Sequence, residues 1–574
     1  MKIETLLFKE IVIFPELFLG IAIIYLVVHC TFLAIQKKYP LIQSSVLYLS
    51  ILTIFFLIYL VLNEHLNILE LSCLNNTFVL DYASFSSKII IGSLSIFCLL
   101  MMQPYILSQK INNFEYFLLI LFALLGLFLL CSSNDFLTAY LAIELQSLSF
   151  YVLAAFKKNS TFSVDAGIKY FILGAFASSL FLFGTSLLYG VTGTICFEDF
   201  KDLFFCNESA NIAFDKLNEF SEVDSLLNLA DVLHLQLDAS FDKLPVPEKI
   251  EVLLNLEDGL ELGELFYTFS QIDSVFTSSY EIIEVKEFDD NLIKFALILI
   301  LIGLFFKLTV APFHTWAPDV YEGSPTSSTF FFSVVPKLAI FVLLIRIFYY
   351  SFYEFVDSWR HIIVLVTIFS IIVGSFGGLE QRKLKSLLVY STISHMGYSL
   401  IAFSAATFES VQLLLSYLIV YSFSGLCVWS IFVSTRLKTN YFQKQNKDLT
   451  DLVLLGKSNY MLAIFFTTVL FSIAGFPPMI GFLVKMGIFL TALESSMYFV
   501  ALISILCSVV GTFYYIRLIK ILYFEKVLVG KLYYPIEFQS SIIITSLFFM
   551  LLFLFINPTL LFLLSHKFSL LVFV

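Results

Sequence analysis

The chain has 574 residues, of which 59% are hydrophobic and only 13% charged, with a net charge of −11. A soluble fold of this length needs a polar exterior that this composition does not supply, and a β-barrel would alternate polar with apolar residues; a polytopic membrane protein built of helices remains. The eight cysteines stand singly, without a C-x-x-C pair, which argues against a metal or iron–sulfur centre, a disulfide framework and redox chemistry by this chain.

The opening MKIETLLFKEIVIFPELFLG lacks a small-residue cleavage site and is not an Arg- and Ser-rich presequence, so the first apolar segment is expected to stay as a membrane helix. Apolar runs long enough to span a bilayer fall near 10–35, 42–64, 84–103, 114–132, 134–156, 165–191, 292–312, 326–350, 360–378, 386–405, 409–434, 459–491, 497–524 and 540–565. The expected fold is therefore all-α, with about 14 transmembrane helices of roughly 20 residues or more.

Basic residues orient the segments. Lys37 and Lys38 follow the first, Lys110 the third, and Lys157 with Lys158 the fifth. The stretch QRKLK, from Gln381 to Lys385, follows the ninth, RLKTNYFQKQNK the eleventh, and Arg517, Lys520 and Lys526 close the thirteenth. Every cluster follows an odd-numbered segment, so all share one face, which the positive-inside rule makes the matrix or cytoplasmic one. Both termini then lie on the opposite side.

Residues 196–290 break the apolar pattern. They hold 23 acidic residues against 5 lysines, a net of 5 − 23 = −18. The stretch joins the sixth and seventh segments and so belongs to the outer face. DSLLNLADVLHLQLDASFDKL and EKIEVLLNLEDGLELGELF carry helical apolar spacing. A small helical insert or an interaction surface, for a neighbouring or lineage-specific subunit, is one reading; a partly disordered insertion without function is the other. Cys196 and Cys206 are close enough in sequence to pair in an oxidising compartment, or stay as free thiols.

Four ionisable residues sit inside apolar segments: Glu144 in FLTAYLAIELQSLSFYVLAAF, Lys307 in ALILILIGLFFKLTVAPFHTW, Lys337 in FFFSVVPKLAIFVLLIRIF and Lys485 in GFLVKMGIFL. A charge at mid-membrane depth costs roughly 2.5–3.5 kcal/mol on insertion scales, and such groups mark ion or proton paths or form structural pairs that fix packing. Because desolvation weakens the charged form of either group type, a neighbouring charge then decides whether a proton is held, and a Glu–Lys pair acts as a gate. Lys307 is followed by APFHTWAPDVYEGSP and Lys485 preceded by AGFPPMIG. Proline frees carbonyls, and at membrane depth that is tolerated where backbone is buried in protein or lines a cavity. Two broken helices at corresponding places, each with a lysine, predict two inverted five-helix repeats with discontinuous helices 7 and 12. His395 in YSTISHMGYSL and His314 are relay candidates or packing residues. Arg346 and Arg517 read as interfacial.

YLAIELQSLSFYVLAAFKKNSTFSVDAGIKYFILGAFASSLFLFGTSLLYGVTGT, FKLTVAPFHTWAPDVYEGSPTSSTFFFSVVPKLAIF, LLVYSTISHMGY, AGFPPMIGFLVKMGIFLTAL and GTFYYIRLIKILYF resemble NADH dehydrogenase subunit 2, an antiporter-like membrane subunit of respiratory complex I, in its mitochondrial plant and protist form. The resemblance runs from about residue 114 to 530. It implies a proton relay Glu144–Lys307–Lys337–Lys485, driven by quinone reduction elsewhere in the complex, with no cofactor held by this chain and no nucleic-acid partner. It also implies the mitochondrial inner membrane and its lipid, with both termini and the insert on the intermembrane-space side. The expected neighbours are other membrane-arm subunits, on the antiporter-like subunit 4 side and the small subunit 4L side. The division it suggests is a three-helix segment 1–113, a first antiporter-like half 114–350 with the insert 196–290, a second half 351–530 and a C-terminal helix 531–574. The length of the insert departs from the family. Two rivals stay open: a sodium–proton antiporter subunit of related cation-antiporter complexes, and a scaffold whose buried charges only hold helices together.

Overall fold

The computed structural model describes all residues except 1–12, 36–38, 65–70, 110–112, 205–288, 439–442, 446–447, 454, 526–532 and 574. The chain begins with α1 (Phe14–Ile35) and α2 (Tyr39–Glu64), then a β-hairpin of β1 (Leu71–Cys73) and β2 (Phe78–Leu80), then α3 (Tyr82–Ser108). Asp81 sets the start of α3: its carboxylate accepts from the Ser84 amide at 2.9 Å while the Ser84 hydroxyl accepts from the Asp81 amide, a reciprocal cap. The next six helices are α4 (Glu115–Ser132), α5 (Phe136–Ala155), α6 (Thr161–Thr192), α7 (Asp290–Leu308), the short α8 (Trp316–Gly323) and α9 (Thr326–Val334). After α10 (Pro336–Ile345), a π-turn over Arg346–Ser351 leads to α11 (Val356–Leu379), α12 (Leu384–Ala405) and α13 (Phe408–Ser434). The chain finishes with α14 (Tyr460–Ala474), α15 (Ile480–Glu494), α16 (Tyr498–Tyr523), α17 (Phe538–Ile556) and α18 (Thr559–Phe573). The described helices before and after residues 202–289 belong to one compact unit.

Twelve helical stretches among the described residues are long and apolar enough to cross a membrane. Helix α12 and the broken pair α14–α15 complete the expected set. The outward faces are apolar rather than polar: Leu502, Leu506, Val509 and Phe513 are exposed along α16, spaced by turns of the helix, while Ala501, Ser504, Gly511 and Leu518 face inward. That inversion suits a lipid exterior. At the opposite extreme, every residue of α9 and α10 is buried, and almost every residue of α12 is too. Inside, small residues let backbones close in. A Cβ on Gly374 of α11 would stand 2.5 Å from the Ser394 nitrogen of α12, and one on Gly397 would stand 2.4 Å from Ser370 Oγ, so this pair of helices packs at a distance only glycine permits.

Two predicted segments divide differently in the structure. The run 540–565 is two helices, α17 and α18, parted at Asn557–Pro558, where proline cannot supply the next helical hydrogen bond and disfavours helix in the residue before it. The run 326–350 is likewise two helices that meet at Val335–Pro336. The expected insert over 196–290 falls mostly outside the described residues, and so does Cys206, one of the two cysteines read as able to pair or to stay as free thiols.

Candidate functional site

Each of the three predicted lysines sits within a turn or so of a break in its helix. Lys307 occupies the last turn of α7. Beyond it Thr309 takes a left-handed conformation, φ +63°, and the chain turns through residues 309–315 into α8. The freed α7 carbonyls are met locally: the Trp316 indole donates to the Phe306 carbonyl at 3.2 Å, and the Val310 amide to that of Phe305. Lys337 follows Pro336, the first residue of α10. Pro336 has no N–H for the Phe332 carbonyl one turn back, and the Tyr321 hydroxyl of α8 donates to that oxygen instead, at 3.4 Å. Lys485 lies in α15 but reaches back to the end of α14, where its ammonium donates to the Ile473 and Ala474 carbonyls at 2.7 and 3.1 Å. Gly475, at φ +89°, ends α14 directly beside this side chain; a Cβ there would stand 3.0 Å from Lys485 Cδ. A cation on the carbonyl end of a half-helix is favoured by both the orphan acceptors and the helix dipole.

Glu144 and Lys307 come together, though through hydroxyls. Among the described residues no ion pair joins them directly. Ser147 Oγ donates to Glu144 Oε2 at 3.5 Å, and Lys307 Nζ donates to the Tyr151 hydroxyl at 3.4 Å. Residues 144, 147 and 151 share one face of α5 by their spacing, so this helix carries a line from the carboxylate to the ammonium. Glu144 Oε1 is buried without a hydrogen-bond partner. Beside Lys307, Gln146, Ser147, Tyr170, Tyr321 and Pro336 help to line a cavity of about 20 Å³, room for a single water with several polar partners. That cavity leads from Lys307 to the residue preceding Lys337.

Lys337 is 2% exposed and its Nζ is buried without a hydrogen-bond acceptor, 5.5 Å from the centre of the Tyr421 ring. Tyr421 in turn lies 5.4 Å from the His395 ring, His395 lies 6.1 Å from Tyr398, and Lys485 Nζ lies 5.2 Å from the centre of the Tyr398 ring. The order Lys337–Tyr421–His395–Tyr398–Lys485 thus places the predicted histidine between two of the predicted lysines, with an aromatic face under each cation. His395 stands midway along α12 and both its ring nitrogens are engaged: Nδ1 with the Tyr417 hydroxyl at 2.6 Å and Nε2 with the Tyr515 hydroxyl at 3.3 Å.

The tyrosines are the site residues that sequence reasoning missed. It also missed two charge pairs. Lys88 of α3 and Glu16 of α1 form a buried ion pair, each residue near the start of its helix. Arg346, expected at the interface, is buried instead: one nitrogen donates to both Asp81 oxygens at 2.8 and 2.7 Å, another to the Ser133 carbonyl at 2.7 Å. Arg517 donates to the Leu379 carbonyl at 3.0 Å, a tie between α16 and the end of α11. His314 lies in the break after α7 and is half-buried.

Comparison with known proteins places this geometry. The family described as NADH:quinone oxidoreductase/Mrp antiporter, TM, matches residues 133–220 and 263–511. NADH-ubiquinone oxidoreductase chain 2 of Marchantia polymorpha is 34% identical over 97% of this chain and 98% of its own length. NADH-quinone oxidoreductase subunit N of Paramagnetospirillum magneticum is 33% identical over 90% of this chain and 88% of its own. Among solved structures, a chain of respiratory complex I from Thermus thermophilus has a TM-score of 0.68 at 22% identity, covering 96% of this chain and 99% of that one. A chain of the Mrp complex from Dietzia has 0.70 at 16%, covering 97% of each; at these identities the likeness is one of fold. The chain belongs to the NADH:quinone oxidoreductase/Mrp antiporter membrane family, in the branch of NADH-ubiquinone oxidoreductase chain 2.

Proposed function

We propose that this chain is a proton-translocating membrane-arm subunit of NADH:ubiquinone oxidoreductase in the mitochondrial inner membrane, and that protons move along Glu144, Lys307, Lys337, His395 and Lys485. The observation that carries the proposal is the line of buried lysines, each at a helix break and each joined to the next by tyrosines, His395 or a water-sized cavity. The names of the relatives supply the reaction that would drive it: NADH oxidation by a quinone. In this scheme the Glu144 carboxylate attracts positive charge toward Lys307 through Ser147 and Tyr151. Protonating Glu144 removes that attraction, and the charge on Lys307 then favours transfer toward Lys337 across the polar cavity. Neighbouring membrane-arm subunits would supply the trigger at Glu144 and receive the proton's effect beyond Lys485. The inner-membrane orientation follows the basic clusters, with both termini on the intermembrane-space side.

One observation favours the scaffold reading: the Lys485 ammonium satisfies two carbonyls at the end of α14, which is what a purely structural lysine would do. Lys485→Arg separates the two roles. Arginine keeps the positive charge and the donors but does not release a proton. In assembled complex in sealed vesicles, the relay predicts NADH-driven pumping reduced by at least about tenfold per electron pair, in line with the loss of a proton-transfer group. Normal pumping by Lys485→Arg, together with failed assembly of Lys485→Met, would leave the lysine as a cap and sink the relay.

A further inference from the structure

His395 has a partner on each ring nitrogen, and both partners are hydroxyls. Tyr417 comes from α13 and Tyr515 from α16, at 2.6 and 3.3 Å, and all three side chains are 4% exposed or less. A buried tyrosine or histidine needs hydrogen-bond partners, so packing alone accounts for one such contact. The choice of partner says more. A carbonyl only accepts, and would hold the imidazole in one tautomer; a hydroxyl both donates and accepts, so hydroxyls on both nitrogens leave either tautomer equally well bonded. Lys485 shows the contrast, since its ammonium is held by two carbonyls that can only accept. Behind Tyr515 stands the Tyr514 ring, 4.5 Å away between centres, and on α12 the Ser391 hydroxyl donates to the Leu388 carbonyl at 2.6 Å. Ser391 lies one turn from His395 toward the α12 end that carries Lys383 and Lys385, and Tyr515 lies on the part of α16 that leads to Arg517 and Lys520.

We propose that Tyr417 and Tyr515 are proton-handling partners of His395, which makes the imidazole the crossing point of the lysine line and a transverse hydroxyl line, Tyr417–His395–Tyr515, that leads toward the basic face of the membrane. The proposal rests on the relay described above. The transfer is balanced. A hydronium on the basic-face side of Tyr515 gives a proton to the Tyr515 oxygen and leaves as water, as Tyr515 passes its own proton to Nε2. The hydroxyl gains one proton and loses one, and the added proton rests on the imidazole ring, which now donates from both nitrogens. Release of the Nδ1 proton to the Tyr417 oxygen, as Tyr417 gives its own proton to a water on its side, returns a neutral ring in the other tautomer. Rotation of the hydroxyls together with a flip of the imidazole ring then resets the line.

The test measures protons pumped per NADH oxidised in sealed vesicles, with assembly followed on native gels, for Tyr417→Phe, Tyr515→Phe, His395→Gln and the double variant Tyr417→Phe/His395→Gln. Phenylalanine keeps the ring and removes only the hydroxyl. Each single variant is expected to assemble and to lose pumping by about tenfold or more, as for loss of a positioned proton carrier. The double variant is expected to be no worse than His395→Gln alone, because Tyr417 acts through the histidine; a packing role would give additive losses. If Tyr417→Phe fails to assemble, Tyr515→Phe decides alone. Normal pumping by an assembled tyrosine variant while His395→Gln is impaired overturns the transverse line and leaves the lysine relay standing. Normal pumping by His395→Gln removes the histidine from the relay and the inference with it.

Discussion

Tyr151 reaches Lys307 because Gly174 leaves space for its hydroxyl: a Cβ at that position would come within 2.1 Å of the oxygen. The Tyr151 ring is also held edge-on against Tyr170, 4.8 Å between centres, so the phenol has little freedom to move aside. Tyr151→Phe breaks the hydroxyl line between Glu144 and Lys307, and Gly174→Ala displaces it. Both variants are expected to assemble and to pump about tenfold less, short of the roughly 10²-fold or more of a fully positioned group, because water in the adjoining cavity substitutes in part. Proton translocation in sealed vesicles reads this, and wild-type rates in both would remove Tyr151 from the path. The lysines were legible in the sequence because a cation amid apolar residues has few innocuous explanations. Tyr151, Tyr398, Tyr417, Tyr421 and Tyr515 were not, since 29 tyrosines are scattered through this chain and a tyrosine in a membrane segment ordinarily signals the interface. Only the fold shows which of them turn toward a lysine or a histidine.

Prolines explain the helices, and they were legible to different degrees. The pair Pro477–Pro478 and the run Pro312, Pro318 and Pro325 announce breaks by their density, and the structure has breaks at both places. Pro336 stands alone in a long apolar run, and a lone proline does not decide the matter: α3 runs from Tyr82 to Ser108 straight through Pro104. What turns Pro336 into a break is tertiary, the Tyr321 hydroxyl of α8 taking the Phe332 carbonyl. Pro336→Ala returns an N–H to that position. The helix α9–α10 is then expected to close, releasing Tyr321 from its carbonyl. Removing an interior proline adds up to about 3 kcal/mol of helix stability, so the assembled complex should melt at the same temperature or higher. Pumping should nonetheless fall severalfold, because the break beside Lys337 is part of the path. A Pro336→Ala complex that is both more stable and fully active would show that the break serves packing alone.

The whole molecule is tied across its expected divisions by charge pairs rather than by apolar packing alone. Lys383, at the start of α12, pairs with Glu322 of α8, joining region 351–530 to region 114–350. Both groups are largely exposed, so this tie is worth about 1 kcal/mol at most. The tie from the N-terminal segment 1–113 is of another kind. Asp81 caps α3 and also receives the Arg346 guanidinium with both oxygens, while the same arginine holds the Ser133 carbonyl of the α4–α5 turn. One side chain thus fixes the hairpin, α3, α4 and the end of α10 to each other. The Asp81 side chain is 20% exposed, so removing it costs less than the roughly 3–5 kcal/mol of a fully buried pair, and the lost cap adds about 1 kcal/mol. Asp81→Asn keeps an oxygen for the cap and loses the charge, so it isolates the larger effect. Asp81→Ala is expected to lower the melting temperature and the yield of assembled complex most, with Asp81→Asn between it and the native chain. Whatever complex does assemble should pump at the native rate per NADH oxidised, because Asp81 and Arg346 touch none of the lysines, tyrosines or His395. A variant that assembles and melts normally but pumps poorly would place this pair in the proton path instead, and the path would then extend into the N-terminal segment.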